Sequence, residues 1–145
     1  MSLQWRYERL DELGVLALAG RLESATIPRF FGALNWPLAR GEGPLLLDLS
    51  VLAAWDAAAG AAIGTAARRL ATGARRLELA AAPAGLSKLV ATDRRAPIGI
   101  HPDLVCALRA HGVDATQMGQ RRVWHTSGWP ADEQAADRGT ATPVL

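Results

Sequence analysis

A chain of 145 residues, half of them apolar, can fill one hydrophobic core but not comfortably two, so a single domain is expected. Sixteen Lys and Arg against fourteen Asp and Glu leave a net charge of +2. The pairs Arg68-Arg69, Arg75-Arg76, Arg94-Arg95 and Arg121-Arg122 are scattered without interleaved aromatics, which reads as solvated surface and argues against a nucleic-acid partner. The single cysteine, Cys106, cannot form an internal disulfide, and Trp5, Arg6, Glu8, Arg9 and Asp11 stand where a signal peptide would be apolar, so a reducing, cytoplasmic setting is expected.

Leu3, Trp5 and Tyr7 alternate with Gln4, Arg6 and Glu8, the period of a half-buried strand. The stretch from Asp11-Glu12 to Gly14 makes a turn, and Val15 to Ala19 returns as a second strand of a hairpin that Gly20 ends. Ser24 or Thr26 caps a helix with Pro28 in its first turn, where the missing N–H costs nothing, and with Ile27, Phe30, Phe31 and Leu34 as its apolar stripe; Pro37 stops or kinks it. Pro44 to Ser50 is a nearly continuous apolar run, suited to a central strand covered on both faces.

Asp56 is placed to cap a helix from Ala57 to about Thr72, with Ala59, Ile63, Ala66 or Ala67, and Leu70 facing inward and Gly73 as its left-handed stop. The apolar stretch from Ala57 to Ala67 falls short of a membrane span, and its Gly60–Gly64 spacing reads as close helix-to-sheet packing, so no membrane partner is expected. Arg76 to Ala81 follows as a strand, which closes a right-handed βαβ unit with parallel strands and makes the sheet mixed. Two short helices, over 83–92 and 102–111, flank a segment of no clear pattern, and Gln120 to His125 reads as a last strand. From Thr126 onward apolar periodicity is almost gone, so the organisation is a domain over 1–125 and a flexible tail over 126–145, with Trp129 the discordant residue.

Two stretches carry a family resemblance. Gly20-Arg-Leu-Glu-Ser-Ala-Thr-Ile-Pro-Arg-Phe30 is similar to the strand-to-helix segment of STAS domains, the family named for sulfate transporters and anti-sigma-factor antagonists, where Gly-x-Leu-Asp precedes a helix opening around Ala-Pro-Arg-Leu. Asp48-Leu-Ser-Val-Leu-Ala-Ala-Trp-Asp56 resembles the family's Asp-Leu-Ser strand end, a loop of about five residues and an Asp opening the next helix. The two motifs start about 28 residues apart with the fitting elements between, and the resemblance runs from about Trp5 to about Leu108.

The resemblance implies an α/β fold: a mixed sheet of four or five strands with helices mainly on one face. It also implies a non-enzymatic interaction domain that binds an anti-sigma factor with a kinase-like ATPase fold. In the family's regulatory members a serine follows the helix-opening Asp and is phosphorylated by that partner; here the position is Ala57, and the motif reads Asp56-Ala57-Ala58-Ala59-Gly60, with the glycine displaced by one residue. A phosphate there would add about −1.5 to −2 charges at a helix N-terminus, a switch that alanine lacks. The expected docking surface is Glu23, Ser24, Ala54, Trp55, Asp56, Ala57, Ala58 and Gly60. A scaffold subunit that pairs with a serine-bearing STAS paralogue, and a small-molecule or lipid-binding domain, are the alternatives. Bland readings stand beside these: Asp56 as a simple cap, the alanines as helix propensity and close packing, and Trp55 as core edge rather than binding anchor.

Other chemistry is not supported. His101, His111 and His125 have spacings of ten and fourteen residues that fit no compact zinc pattern, so no metal or cofactor is expected. Ser87, His101 and Asp103 lack a Gly-x-Ser-x-Gly elbow, no phosphate-binding Gly-rich run precedes Lys88, and Cys106 is expected to be buried and inert.

Overall fold

The computed structural model describes residues 2–91, 96–119, 123–126 and 129. It opens with a hairpin of β1 (Leu3–Leu10) and β2 (Leu13–Leu22), in which Leu10 pairs with Leu13 and Asp11 takes the turn at φ 57°, a position that aspartate tolerates better than most residues. The turn is therefore tighter than the sequence suggests and does not reach Gly14. Gly20, opposite Leu3, ends the pairing with β1, while β2 itself runs on to Leu22. With φ +99° and a Cβ that would stand 2.4 Å from the Ser2 carbonyl oxygen, this position requires glycine.

Four further strands, β3 (Leu45–Trp55), β4 (Leu77–Ala80), β5 (Gly99–His101) and β6 (Val123–His125), complete a mixed sheet in the order β5-β4-β3-β2-β1-β6. β1 is antiparallel to β2 and β6, whereas β2, β3, β4 and β5 run parallel. The described sheet thus has six strands rather than four or five. The unforeseen one, β5, is three residues long, too short for an alternation to show. β6 falls inside the expected 120–125 segment, of which residues 120–122 lie outside the described part.

Helices α1 (Ile27–Arg40), α2 (Ala57–Thr72) and α3 (Ala84–Ala91) cover one face of the sheet, and α4 (Leu104–Ala110) covers the other. The alternation of the strands explains this division: Leu45, Leu47 and Leu49 meet Phe30, Ile63 and Leu86 in the main core, whereas Leu46 and Ala80 meet Ala107 and Leu108. Fully burying a leucine contributes about 1.5–3 kcal/mol, so the face with three helices carries most of the stability. Trp124 of β6 stacks on Tyr7 at 5.7 Å and lies 6.3 Å from Trp36, sealing the sheet edge beneath α1.

Several local expectations are corrected. Pro37 does not stop α1, which continues to Arg40; the proline is buried beside Ala33 and Leu34, and packing on that stripe outweighs the missing hydrogen bond. The left-handed residue after α2 is Ala74 at φ 58°, not Gly73 at φ −99°, because the Arg75 N–H closes back onto the Leu70 carbonyl at 2.9 Å. Gly60 packs against a helix rather than the sheet, since a Cβ there would stand 3.1 Å from Leu89 Cβ of α3. Cys106 is exposed, because α4 turns Ala107 and Leu108 inward; hydrogen bonding with Asp103 is the main reason that its thiol pKa is raised.

Three of the described arginines brace the fold. Arg75 donates to the Pro37 and Gly43 carbonyls at 2.8 and 2.7 Å, Arg40 lies 3.9 Å over Trp36, and Arg69 lies 4.6 Å over Phe31. Two residues of the segment read as a tail are docked on the sheet: Thr126 exchanges hydrogen bonds with Trp5 through its N–H and hydroxyl, and Trp129 is buried against Ala17 and Ala19. Among the described residues, no helix is long and apolar enough to cross a membrane.

Candidate functional site

Parallel β2 and β3 end at the same edge of the sheet, and their register sets Leu22 beside Trp55. The next residues, Glu23 and Asp56, therefore open two neighbouring loops, which the Asp56 N–H joins by donating to the Leu22 carbonyl at 3.3 Å. The Asp56 carboxylate completes the junction. Its Oδ1 accepts from the Ala58 and Ala59 N–H groups at 2.9 and 3.3 Å, capping α2, and its Oδ2 accepts from the Ser24 N–H and hydroxyl at 3.0 and 3.2 Å. One side chain thus satisfies the start of a helix and fixes the loop before α1. The Asp56 pKa lies below its ordinary value, chiefly because of the Ser24 N–H; desolvation opposes this, and the Ser24 hydroxyl and the two α2 amides add to it.

Around this carboxylate the other expected residues gather. Ser24 and Ala57 are exposed, and Glu23, Ala54, Trp55, Asp56, Ala58 and Gly60 are half-buried. Glu23 pairs with Arg21, Nε to Oε1, at 2.5 Å, and its N–H donates to Thr26 Oγ1 at 3.0 Å. Thr26, read from the sequence only as a possible cap, is buried and donates to the Arg21 carbonyl at 2.7 Å, so it is the loop's internal anchor. Trp55 fills the core edge: a Cβ at Gly85 of α3 would meet its ring at 2.9 Å, so the indole lies against bare backbone.

Leu89 extends this surface without having been expected there. It is 42% exposed and sits against Gly60, so α3 adds an apolar border to the start of α2. Its only sequence signal is a large apolar residue next to Lys88 in a short helix. The surface as a whole offers the carboxylates of Asp56 and Glu23, the Ser24 hydroxyl and apolar side chains both small and large, which suits contact with another macromolecule.

A different group of titratable residues lies on the α4 face. Glu78 of β4 is buried, and its carboxylate meets His101 Nε2 of β5 at 2.5 Å and His111 Nε2, at the end of α4, at 3.0 Å. Burial alone would raise the Glu78 pKa, but hydrogen bonds and charge from the two histidines outweigh it and leave the carboxyl below its ordinary value. Histidine spacing along the chain gave no sign of this cluster, because its acidic member comes from the neighbouring strand. His101 thus faces Glu78, whereas Asp103 accepts from the Cys106 N–H at 2.7 Å as the cap of α4.

Comparison with known proteins agrees with this architecture. A family model described as "Mlab, STAS domain" matches residues 5–92. Among solved structures, the chain is similar to an anti-sigma factor antagonist from Mycobacterium paratuberculosis, with a TM-score of 0.61, 20% identity, and 75% of this chain and 93% of that one covered. It is similar as well to the anti-sigma factor antagonist SpoIIAA in its unphosphorylated form, with a TM-score of 0.58, 15% identity, and coverage of 75% and 99%. The murine anion transporter Slc26a9 contains the same fold in 18% of its chain, with a TM-score of 0.59 and 12% identity over 72% of this chain. No curated protein matches the chain in sequence.

Proposed function

This chain belongs to the STAS-domain family, and from that premise we propose that it is a non-enzymatic interaction domain acting like an anti-sigma-factor antagonist. In this reading its partner is an anti-sigma factor with a kinase-like ATPase fold, bound through the surface around Asp56. The observation that carries this reading is the Asp56 carboxylate, which holds the loops of Glu23–Ser24 and Ala54–Ala58 in one arrangement while the Ala57 side chain beside it stays exposed. A surface held in this way loses little conformational freedom on docking, which favours affinity. Occupying the anti-sigma factor would leave a sigma factor free for RNA polymerase.

With alanine in the position that bears the phosphorylated serine in regulatory relatives, docking is not switched off by charge at the helix start. Control then comes from the abundance of the chain or from its partner. The test is affinity capture from the native cytosol with wild type and Asp56→Arg, with captured proteins identified by mass spectrometry. Loss of an ATPase-fold kinase on charge reversal supports the reading. Identical partner sets for the two proteins would remove this surface from consideration.

The missing hydroxyl also favours a second reading, a scaffold subunit paired with a serine-bearing STAS paralogue. The fold itself does not choose between them, since similar domains occur inside an anion transporter as well as alone. Recovery of a paralogue in place of a kinase from the same capture would select the scaffold.

A further inference from the structure

We propose that Glu78, His101 and His111 form a site for a divalent transition metal, with zinc as the fitting ion, on the α4 face of the sheet. Two imidazoles and one carboxylate are a ligand set that zinc uses when a fourth position is left for water or another donor. One donor atom from each residue can be chosen so that all three lie within 4.8 Å of one another. Tetrahedral zinc, with bonds of about 2.0–2.2 Å, holds its donor atoms about 3.3–3.6 Å apart. From contacts of 2.5 and 3.0 Å to the carboxylate, the donors reach that spacing by movements of about 1 Å.

The fold builds this convergence from three elements. Parallel pairing sets Glu78 beside Gly99 and Ala80 beside His101, so the carboxylate and the imidazole share a face one step apart. Gly99 makes the room: a Cβ there would stand 3.0 Å from Glu78 Cγ. His111 reaches the same carboxylate from the residue that ends α4, where its N–H donates to the Leu108 carbonyl at 3.0 Å. Glu78 is 9% exposed at its side chain, while His101 and His111 are 20% and 22% exposed, which leaves a path for the ion and for a fourth ligand.

Both Nε2 atoms turn toward one buried carboxylate, whereas a single histidine would suffice for an ion pair. The cluster lies on the sheet face opposite α1, α2 and α3, so this inference stands whether or not the docking surface does.

The test is calorimetric titration of zinc chloride into the untagged full chain, repeated with His101→Ala and His111→Ala. Saturable binding of one ion per chain is expected. Each alanine variant should bind at least about tenfold more weakly. Cobalt in place of zinc should give the visible absorption of a tetrahedral centre in wild type and lose it in both variants. If an alanine variant fails to fold by circular dichroism, His111→Gln takes its place, since it keeps a donor for Glu78 without the imidazole. Absence of saturable zinc binding, or binding unchanged in the folded variants, would overturn the site and leave the cluster an ion pair only.

Discussion

Asp56 follows β3 and Glu78 lies within β4, two parallel neighbours, and both carboxyls lie below their ordinary pKa, yet by different means. Asp56 stands half-exposed and is stabilised mainly by backbone N–H groups of its own helix start and of the adjoining loop. Glu78 is buried, where charge is costly, and is stabilised by two side chains 23 and 33 residues further along the chain. One region is an oriented rim open to a partner. The other is a small, mostly enclosed polar centre.

The largest expected effect separates the core that both regions share from either of them. Leu79 is fully buried on the face opposite Glu78, so Leu79→Ala should cost about 2–5 kcal/mol in urea unfolding, more than any change at the two carboxylates. Next, Gly99→Ala forces a methyl group to within 3.0 Å of Glu78 Cγ and should cost about 1–3 kcal/mol, with no change in partner capture through the Asp56 surface. Equal losses of stability and capture would show that the two regions are not independent.

Acid should sharpen the contrast. Both lowered carboxyls contribute stability that is fully present above their ordinary values, 3.8 for Asp56 and 4.5 for Glu78, and that is lost as pH falls through the lower folded values. Thermal melts of Asp56→Asn and wild type should therefore differ most at neutral pH and converge in strong acid, with the variant showing the shallower acid decline. A constant offset across that range would mean that the Asp56 charge contributes nothing beyond its hydrogen bonds.

The smallest stability effect belongs to Ala57→Asp. A negative charge in the first turn of α2 should stabilise by about 0.3–1 kcal/mol, measured by thermal unfolding at low salt, while altering the surface that a partner would meet.

What could be read in advance follows the same division. Asp56 as a cap, the apolar run of β3, the hairpin and the βαβ unit were legible because their signals are local: a cap precedes its amides by two and three residues, and alternation needs only a strand. The junction of Ser24 with Asp56 required the register of β2 on β3, which sequence periodicity does not fix, and came into view only through the family resemblance. The Glu78 centre was hidden twice over. β5 is three residues long, and His111 arrives from the end of a seven-residue helix, so neither element announces its place in space. Cys106 and Gly73 show the finer limit, since a rotation of one residue along α4 or a shift of one residue after α2 reverses the assignment.

We propose that the start of α2 docks a partner and that Ala57 offers no hydroxyl through which phosphorylation at that position could release it. The most direct measurement is the affinity of the captured ATPase-fold partner for wild type, Ala57→Ser and Ala57→Asp, with and without ATP. Wild type should bind equally in both conditions, Ala57→Ser should be released when ATP is present, and Ala57→Asp should bind weakly throughout. Release of wild type by ATP to the same extent as Ala57→Ser, or full-strength binding by Ala57→Asp, would contradict it.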